Sequence, residues 1–221
     1  MHTPVDRWVR LFANDSIEFL SKSPWWLVPI FWIPVIIYNL VQQHKILLNE
    51  PKVEVFGAEM TLNTWMTPFL FLAGCASWPF IEYFLHRFVF HLEPSSGNES
   101  LIRLHFTMHG LHHKAPFDPY HLVFPPLPAS LIGVAVFSFY SLILSPHIVN
   151  GWFAGTALGY IFYDLTHYYL HHGHPEPNSY FGRLKKWHIR HHYIDYDNGF
   201  GVSSNILDFP FGTDFPNFKY K

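Results

Sequence analysis

The stretch that organises this sequence is Trp187-His188-Ile189-Arg190-His191-His192, which lies near the end of the chain. The same His-x-x-His-His pattern occurs earlier, as His109-Gly110-Leu111-His112-His113. On a helix, residues spaced i, i+3 and i+4 share one face, so each triplet is expected to direct three imidazoles toward one point. Two histidine pairs lie close to these motifs, one at 86 and 91 and the other at 167 and 171.

The four clusters contain ten of the 17 histidines in the chain. A lone histidine is usually a surface residue or a hydrogen-bonded core residue, but four clusters at helical spacings are not expected by chance. Aromatic and charged residues interrupt every cluster, which excludes a low-complexity tract. Imidazole is the commonest side-chain metal ligand, and ten ligands are too many for one ion but fit two. The predicted ligands are His86, His91, His109, His112, His113, His167, His171, His188, His191 and His192.

Two carboxylates have positions that suit a supporting role. Glu82 lies four residues before His86, and Asp164 shares a predicted helical face with His167 and His171. Metal-bound histidines usually donate their other N–H to a carboxylate or a carbonyl, which fixes the tautomer and the ring orientation. We expect Glu82 and Asp164 to accept such bonds; the alternative is that each marks a membrane boundary.

The other histidines have weaker assignments. His105 and His172 adjoin ligand clusters but lie off their spacings, so each is either a supporting residue or an ordinary polar one. The remaining five are expected to be structural: His2, His44, His121, His147 and His174.

The composition points toward a membrane. Charged residues make up 14% of the 221 residues and aromatic residues 19%, whereas charged residues are about 25% of an average soluble domain. The net charge of -2 says nothing about nucleic acid, but the sequence lacks the basic run interleaved with aromatic residues that a nucleic-acid groove requires. The single cysteine, Cys75, excludes an internal disulfide and a thiolate metal site. No apolar core of a secretory signal occurs in residues 1–16.

Uncharged runs predict four membrane-spanning helices in a domain covering residues 25–221, preceded by an amino-terminal interfacial segment over residues 1–24. The interfacial helix itself is expected over residues 5–20. The predicted spans are approximately 25–42, 65–85, 126–145 and 147–165. Ser145-Pro146-His147 is expected to form the turn between the last two spans. Gly151, Gly155 and Gly159 form a small-residue face on which helices can approach closely.

Lysine and arginine positions predict the topology. The loops that face the opposite side carry only Lys45 and Lys52. The histidine-bearing segments carry seven basic residues: Arg87, Arg103, Lys114, Arg183, Lys185, Lys186 and Arg190. The positive-inside rule therefore predicts that the histidines and both termini are cytosolic. The predicted fold is an all-α integral membrane protein, with four transmembrane helices and a cytosolic helical cap that holds a histidine-rich dimetal site.

An all-imidazole site without thiolate suits zinc, copper or iron. The metalloprotease signature HExxH is absent, so the glutamate that activates water is missing, and structural zinc sites usually include cysteine. A redox metal pair that activates dioxygen against a lipid chain fits better. The alternative from another class is a membrane protein that binds or transports zinc, although a transporter should place its polar ligands at mid-bilayer.

Five segments carry a resemblance to a known family: EYFLHRFVFH, LHFTMHGLHHKAPFD, LVFPPLPA, GYIFYDLTHYYLHH and KKWHIRHHY with GFGVSS downstream. Together they closely resemble the fatty acid 2-hydroxylases of the membrane fatty acid hydroxylase superfamily, over nearly the whole chain from about Trp25. The histidine boxes alone indicate only the superfamily, which leaves a sterol desaturase or methyl oxidase open. MHGLHHKAPFD, VFPP and DLTHYYLHH are more specific to the 2-hydroxylases.

The resemblance implies a multi-pass enzyme of the endoplasmic reticulum that uses dioxygen and two electrons from cytochrome b5 and its reductase. It implies hydroxylation at the carbon beside the carbonyl, in the N-acyl chain of ceramide or dihydroceramide or in a free very-long-chain fatty acid. The family's metal ligands fall on the same ten histidines; iron is the expected functional metal, and zinc can occupy the site in isolated protein. No His-Pro-Gly-Gly haem motif precedes Trp25, so the plant-type form is expected, without haem and with a separate electron donor.

Two weaker assignments concern the surroundings of the predicted site. The basic residues Arg183, Lys185 and Lys186 are expected either to dock an acidic partner or to act as a positive-inside anchor, with the anchor favoured. Phe124, Pro125 and Pro126 are expected to line a substrate entrance, although an aromatic-proline boundary is common at any membrane interface.

Overall fold

The computed structural model describes residues 9–55, 58–95 and 97–215. His2 and residues 5–8 of the predicted interfacial helix lie outside the described residues. A short 3₁₀ turn covers Thr64–Met66, and two π-helical turns cover His86–Phe90 and Phe106–Gly110. The strands are β1 (Lys52–Val55) and β2 (Ala58–Thr61), and the helices are α1 (Asp15–Ser21), α2 (Leu27–Asn49), α3 (Thr67–Leu85), α4 (Glu99–His105), α5 (Leu111–Lys114), α6 (Pro126–Ile143), α7 (Val149–His172) and α8 (Tyr180–Tyr193).

Among the residues that the structure describes, three helical stretches are long and apolar enough to cross a membrane: Leu27–Asn49, Thr64–Phe90 and Pro126–Ile143. They coincide with the first three predicted spans. In α6 only Ala129 and Tyr140 are buried, so most of its side chains form an exposed apolar surface of the kind that lipid covers. These helices are typical of a membrane protein.

The predicted fourth span, 147–165, is helical but is not among these three stretches. With 24 residues α7 is long enough to span a membrane, and within it only Asp164 carries a formal charge. What separates it from the three apolar stretches is a lower mean hydropathy. Its first half is largely buried, as at Ala154 and Ala157. A helix enclosed by other helices faces little lipid and does not need an apolar surface all round. The fourth crossing stays a prediction.

The prediction of an all-α fold is wrong in one place. β1 and β2 form an antiparallel hairpin in which Lys52 pairs with Thr61 and Val53 with Met60. Charged and β-branched residues alternate along β1, which is the period-2 pattern of a half-buried strand. Val53 on the inner face packs in a cluster with Leu47 of α2. The polar composition of this region obscured the alternation.

The amino-terminal helix is shorter than the expected helix over residues 5–20. Among the described residues it begins only at Asp15, because the side chain of Asn14 accepts hydrogen bonds from the backbone N–H groups of Ser16 and Ile17 and so caps the helix. Phe19 and Leu20 are exposed on its surface, as an interfacial segment would require. Glu18 is buried and accepts the backbone N–H of Leu11 at 2.9 Å, which ties the preceding residues to the helix.

The chain forms two compact units. The histidine unit comprises Met1–Trp25, Pro79–Pro125 and Phe162–Lys221, and the apolar unit comprises Trp26–Trp78 and Pro126–Ile161. The described part of the apolar unit therefore contains α2, the hairpin and α6, together with the first parts of α3 and α7.

Close packing within the apolar unit depends on the predicted glycine face. A Cβ on Gly155 would lie 1.9 Å from the carbonyl oxygen of Phe71, and a Cβ on Gly159 would lie 2.3 Å from the Cβ of Trp78. These parts of α3 and α7 can therefore touch only because glycine has no side chain. The predicted turn between α6 and α7 is also present, since the N–H of Ile148 donates to the carbonyl of Ser145 at 3.0 Å.

Candidate metal centre

The ten predicted ligands fall into two groups, in each of which five side chains offer one nitrogen within 4.8 Å of all the others. All ten belong to the histidine unit, so the structure brings together the four clusters that were selected by spacing. The first group consists of His86, His91, His109, His113 and His191. The second group consists of His112, His167, His171, His188 and His192.

His86 and His91 reach the same group because the backbone changes its winding after α3. The N–H of His91 donates to the carbonyl of His86 at 3.1 Å, which closes the His86–Phe90 π-helical turn. On a regular α-helix, side chains five residues apart point about 140° away from each other. The wider π-helical turn brings them nearly into line, and such turns are frequent at functional sites.

Each His-x-x-His-His motif serves both groups, which corrects the expectation that each triplet points at one place. In α8, His191 lies about 60° to one side of His188 and His192 about 40° to the other, by the geometry of the helix. His191 accordingly belongs to the first group, and His188 and His192 to the second. The earlier motif is divided in the opposite sense, with His109 and His113 in the first group and His112 in the second.

The nitrogen contacts within the first group fit a cation better than a hydrogen-bonded core. The Nε2 atom of His109 lies 2.9–3.1 Å from the Nε2 atoms of His86, His91 and His113. A neutral imidazole has one N–H, so at most one of these three contacts can use a proton from His109. The remaining lone pairs converge on a shared point, which is the donor arrangement that zinc, copper or iron binds.

The nitrogen contacts within the second group also fit a cation. The Nε2 atom of His188 lies 2.9 Å from that of His171 and 3.0 Å from that of His192. The two groups adjoin where the rings of His113 and His192 stack, with their centroids 4.3 Å apart. The residues therefore fit two adjacent metal ions, each surrounded by imidazole nitrogen.

Burial keeps these imidazoles in the form that binds metal. It lowers the pKa of His113 and of His191 to about 3, and repulsion from neighbouring imidazoles contributes to both shifts. The pKa values of His109 and His188 are lowered well below their ordinary value for the same two reasons. These rings are therefore neutral at physiological pH, as metal ligation requires.

Backbone carbonyls of the segment 198–213 orient two ligands of the first group. Nδ1 of His86 donates to the carbonyl of Phe200 at 2.6 Å, and Nδ1 of His191 donates to the carbonyl of Asn198 at 2.7 Å. A carbonyl can only accept, so in both rings the proton sits on Nδ1 and the Nε2 lone pair faces the group. These partners could not be predicted from the sequence, because backbone carbonyls are present at every position.

Glu82 is buried next to this segment and holds it in place. Its carboxylate accepts the backbone N–H groups of Val202 at 2.6 Å and Ser203 at 2.8 Å, together with the hydroxyl of Ser203. These bonds support the segment whose carbonyls orient the ligands. Asp164, the other predicted carboxylate, accepts the N–H of Phe124 at 3.2 Å. The proposed direct bonds from metal-bound histidines to these two carboxylates stay predictions.

Asp208 is a further supporting residue that the sequence analysis missed. Its side chain is fully buried and accepts the N–H groups of Phe200 at 2.9 Å and Gly201 at 3.0 Å. It also accepts the indole N–H of Trp187 at 3.2 Å and the hydroxyl of Thr213 at 2.8 Å. One carboxylate thus joins the segment 198–213 to α8. An acidic residue between two apolar ones, in Leu-Asp-Phe, was the available signal.

The remaining predicted residues lie outside the two groups. His105 and His172 contribute to neither group. His121 is structural, as expected, because its Nδ1 bonds to the Asp118 carboxylate at 2.8 Å.

In the basic cluster, Lys185 donates to the carbonyl of Gly173 at 2.7 Å. Arg183 donates to the carbonyl of Asn178 at 2.6 Å. Both charges therefore have partners inside the protein, which favours anchoring over the docking of a partner.

Aromatic rings connect the predicted substrate entrance to the first group. Phe124 stacks on Phe90 with ring centroids 5.8 Å apart, and Phe90 stacks on His109 at 5.5 Å. The rings of Phe124 and Phe90 form an apolar wall beside the first group. Such a wall suits a hydrocarbon chain better than a polar substrate.

A sequence model described as "Fatty acid hydroxylase" matches residues 71–213. Mouse fatty acid 2-hydroxylase is 45% identical over 98% of the chain and 59% of its own length, and the human protein is 46% identical over 96% and 58%. The chain therefore spans about three fifths of the length of these relatives. A dihydroceramide fatty acyl 2-hydroxylase of Arabidopsis thaliana is 37% identical over 92% of the chain and 79% of its own length.

One similar solved structure is that of full-length scs7p, in which only the hydroxylase domain is visible. It matches with a TM-score of 0.78 and 36% identity, over 93% of the present chain and 71% of the other.

Proposed function

The chain belongs to the fatty acid hydroxylase family, and from that premise we propose that it catalyses the 2-hydroxylation of a fatty acyl chain in sphingolipid synthesis. The proposed substrate is the very-long-chain N-acyl group of ceramide or dihydroceramide, or the free fatty acid. The names of the mouse, human and Arabidopsis relatives support the reaction. The observation that carries the proposal is the pair of five-histidine groups, whose neutral imidazoles could hold two metal ions.

We propose iron as the functional metal, with zinc able to occupy the same ligands in isolated protein. When bound, the metal pair supplies dioxygen activation for the oxidation of a C–H bond. The side chains of the ten histidines would hold the pair, and the carbonyls of Phe200 and Asn198 keep two of their rings in the ligating tautomer. Burial of the histidines excludes water from most of the site.

The apolar wall of Phe90 and Phe124 suits the alkyl chain, and we propose that Phe124, Pro125 and Pro126 line its entrance. The stacking of Phe90 on His109 supports this assignment, because it puts the wall against the first group. An acyl chain along the wall would have its depth set by these rings, and that depth selects the carbon that is oxidised.

Each turnover requires dioxygen and two electrons, and we propose a separate cytochrome b5 with its reductase as the donor. The proposed setting is the endoplasmic reticulum membrane, with four spans and with the termini and the metal centre in the cytosol. The distribution of lysine and arginine supports this orientation, and the helical α7 at residues 149–172 supports the fourth span.

Sphingolipid analysis after expression in a host that lacks its own 2-hydroxylase tests the function. We expect 2-hydroxy ceramides to appear, and His109→Ala and His188→Ala to abolish them and to lower the metal content, since each variant removes a ligand from one group. His44→Ala is the matched control, because His44 is exposed on α2 and belongs to neither group. A shift in sterol intermediates without 2-hydroxy ceramides would refute the proposed reaction, and full activity of either ligand variant would refute that ligand.

A further inference from the structure

We infer that the two histidine groups bind their metal ions with unequal strength, and that the first group, fixed by the segment 198–213, is the tighter one. This inference rests on the proposed metal centre but not on the proposed substrate. It concerns the residues that hydrogen-bond to the ligands and fix the orientation of the imidazole rings before metal binds.

Two of the five ligands of the first group are anchored by the backbone. The Nδ1–H groups of His86 and His191 are bonded to carbonyls at 2.6 and 2.7 Å. Each bond fixes a ring plane and a tautomer before metal arrives, so little conformational freedom is lost on binding. The two anchored ligands come from different parts of the chain, one after α3 and one in α8.

The anchoring carbonyls are themselves held by buried carboxylates. Asp208 accepts the N–H groups of Phe200 and Gly201, and Glu82 accepts those of Val202 and Ser203. Both carboxylates have a few per cent of their surface exposed or less. Hydrogen bonds from backbone N–H groups to buried carboxylates are stronger than neutral ones, so the carbonyl positions are rigid.

Within the described part of the chain, three ligands of the second group have no comparable support on the ring nitrogens that face away from it. The Nδ1 atoms of His112, His188 and His192 are buried and have no hydrogen-bond partner among the described residues. Without a partner, neither the tautomer nor the ring rotation is fixed, and an N–H that is placed on Nδ1 for ligation is left buried without an acceptor. Metal binding to this group therefore costs the conformational freedom of these rings and leaves an N–H buried without an acceptor. The two anchored ligands of the first group avoid both costs.

A zinc titration measures the difference directly. Purified protein in detergent micelles, freed of metal, would be titrated with Zn²⁺ in competition with a chromophoric chelator. We expect two binding events whose affinities differ by about 10–100-fold, the usual effect of losing hydrogen-bond partners of metal ligands. Two events of equal affinity would overturn the inference while leaving the hydroxylase proposal intact. Absence of zinc binding would remove the proposed metal centre together with this inference.

Ligand variants assign the two events to the two groups. His86→Ala removes an anchored ligand of the first group, so the weaker event should remain. His167→Ala removes a ligand of the second group, so the tighter event should remain. The opposite assignment would overturn the inference. These two variants and the unaltered protein decide the question even if a variant of the segment 198–213 fails to fold.

Asp208→Asn tests whether the segment 198–213 causes the tighter metal binding of the first group. We expect this variant to weaken the tighter event by about 10–100-fold and to leave the weaker one unchanged. Asp118→Asn is the matched control, because Asp118 is also a buried carboxylate of the histidine unit with three hydrogen bonds, to Val9, Tyr120 and His121. An equal effect of both variants would show that general destabilisation, and not the segment, sets the affinity.

Discussion

At the scale of single residues, Gly199 and Gly212 form a natural comparison within the segment 198–213. Both have positive φ angles, +76° for Gly199 and +64° for Gly212. A Cβ on Gly199 would lie 2.6 Å from the ring of Phe215 and 3.1 Å from the indole nitrogen of Trp187, whereas a Cβ on Gly212 would meet nothing within 4 Å. The two glycines therefore share the backbone requirement but differ in packing.

We predict that Gly199→Ala destabilises the protein more than Gly212→Ala. Gly212→Ala should cost only the left-handed backbone penalty, about 1–2 kcal/mol. Gly199→Ala should add an overpacking cost of about 1–3 kcal/mol and displace the neighbouring carbonyl of Asn198, which orients His191. Thermal unfolding in detergent micelles, with the zinc content of each variant measured in parallel, checks both effects. Equal midpoints and equal zinc contents would contradict this account.

Clustering along the chain identified the ten histidines that the structure brings together, and shared helical faces at i, i+3 and i+4 explain eight of them. It could not divide them between two groups. The pairing of His86 with His91 depends on a π-helical turn, and five-residue spacing does not predict one. The support from Asp208 and from the carbonyls of Asn198 and Phe200 depends on tertiary folding of a segment that lacks regular secondary structure. The carbonyls have no local signal, and Asp208 has only that of an acidic residue between two apolar ones.

At the scale of elements, the approach of α3 and α7 in the apolar unit depends on particular glycines. A Cβ on Gly155 would lie 1.9 Å from a backbone carbonyl oxygen and 2.8 Å from the backbone nitrogen of Cys75. A Cβ on Gly151 would instead lie 3.1 Å from side-chain atoms of Gln43 and Leu70. Side chains can yield by a few tenths of an ångström, whereas the backbone of a packed helix cannot.

We predict that Gly155→Ala causes a large loss of stability and that Gly151→Ala causes a small one. Alanine is favoured over glycine in a helix by about 1 kcal/mol, which offsets the mild crowding at 151. At 155 the helices must separate, at an overpacking cost of at least about 3 kcal/mol. The yield of monodisperse protein in detergent and its unfolding midpoint measure the difference. Comparable behaviour of both variants would show that the glycines are not what sets the packing.

Charge-free runs predicted the three apolar helices and the helical course of α7, whereas the hairpin was not predicted. The hairpin of Lys52–Val55 and Ala58–Thr61 lies in a polar region, where four-residue strands have too few positions for a clear alternation. α7 was predicted as a span from its lack of charge, but its mean hydropathy is lower than that of the three apolar stretches. Its burial inside the protein explains that composition, and burial is a property of the packed fold rather than of the segment.

At the scale of the whole molecule, the histidine groups gather donors from residues 86–192, a range that includes the π-helical turns, α5, α7 and α8. An unfolded chain cannot present these donors together, so metal binds the folded state preferentially and stabilises it. The first group joins His86, His109 and His191, which are far apart in sequence.

We predict that removal of metal by a chelator lowers the unfolding midpoint of the protein. At a free metal concentration 100 times the dissociation constant, each bound ion contributes about 2.7 kcal/mol. Thermal unfolding with and without chelator, followed by addition of excess Zn²⁺, measures the loss and its recovery. The double variant His109→Ala with His188→Ala should show little response to chelator. A midpoint of the unaltered protein that does not change with chelator would contradict a metal centre at these residues.

The division of each histidine motif between two groups limits how the site can change during evolution. One turn of α8 supplies both groups, so a residue inserted between His188 and His191 would rotate the later donors out of register with both. A change of this kind cannot convert the centre to a single-ion site by steps, because it displaces one donor from each group at once. The residues around the two groups can therefore change independently, as the segment 198–213 beside the first group illustrates. The distance between the two groups stays set by the geometry of the α8 helix.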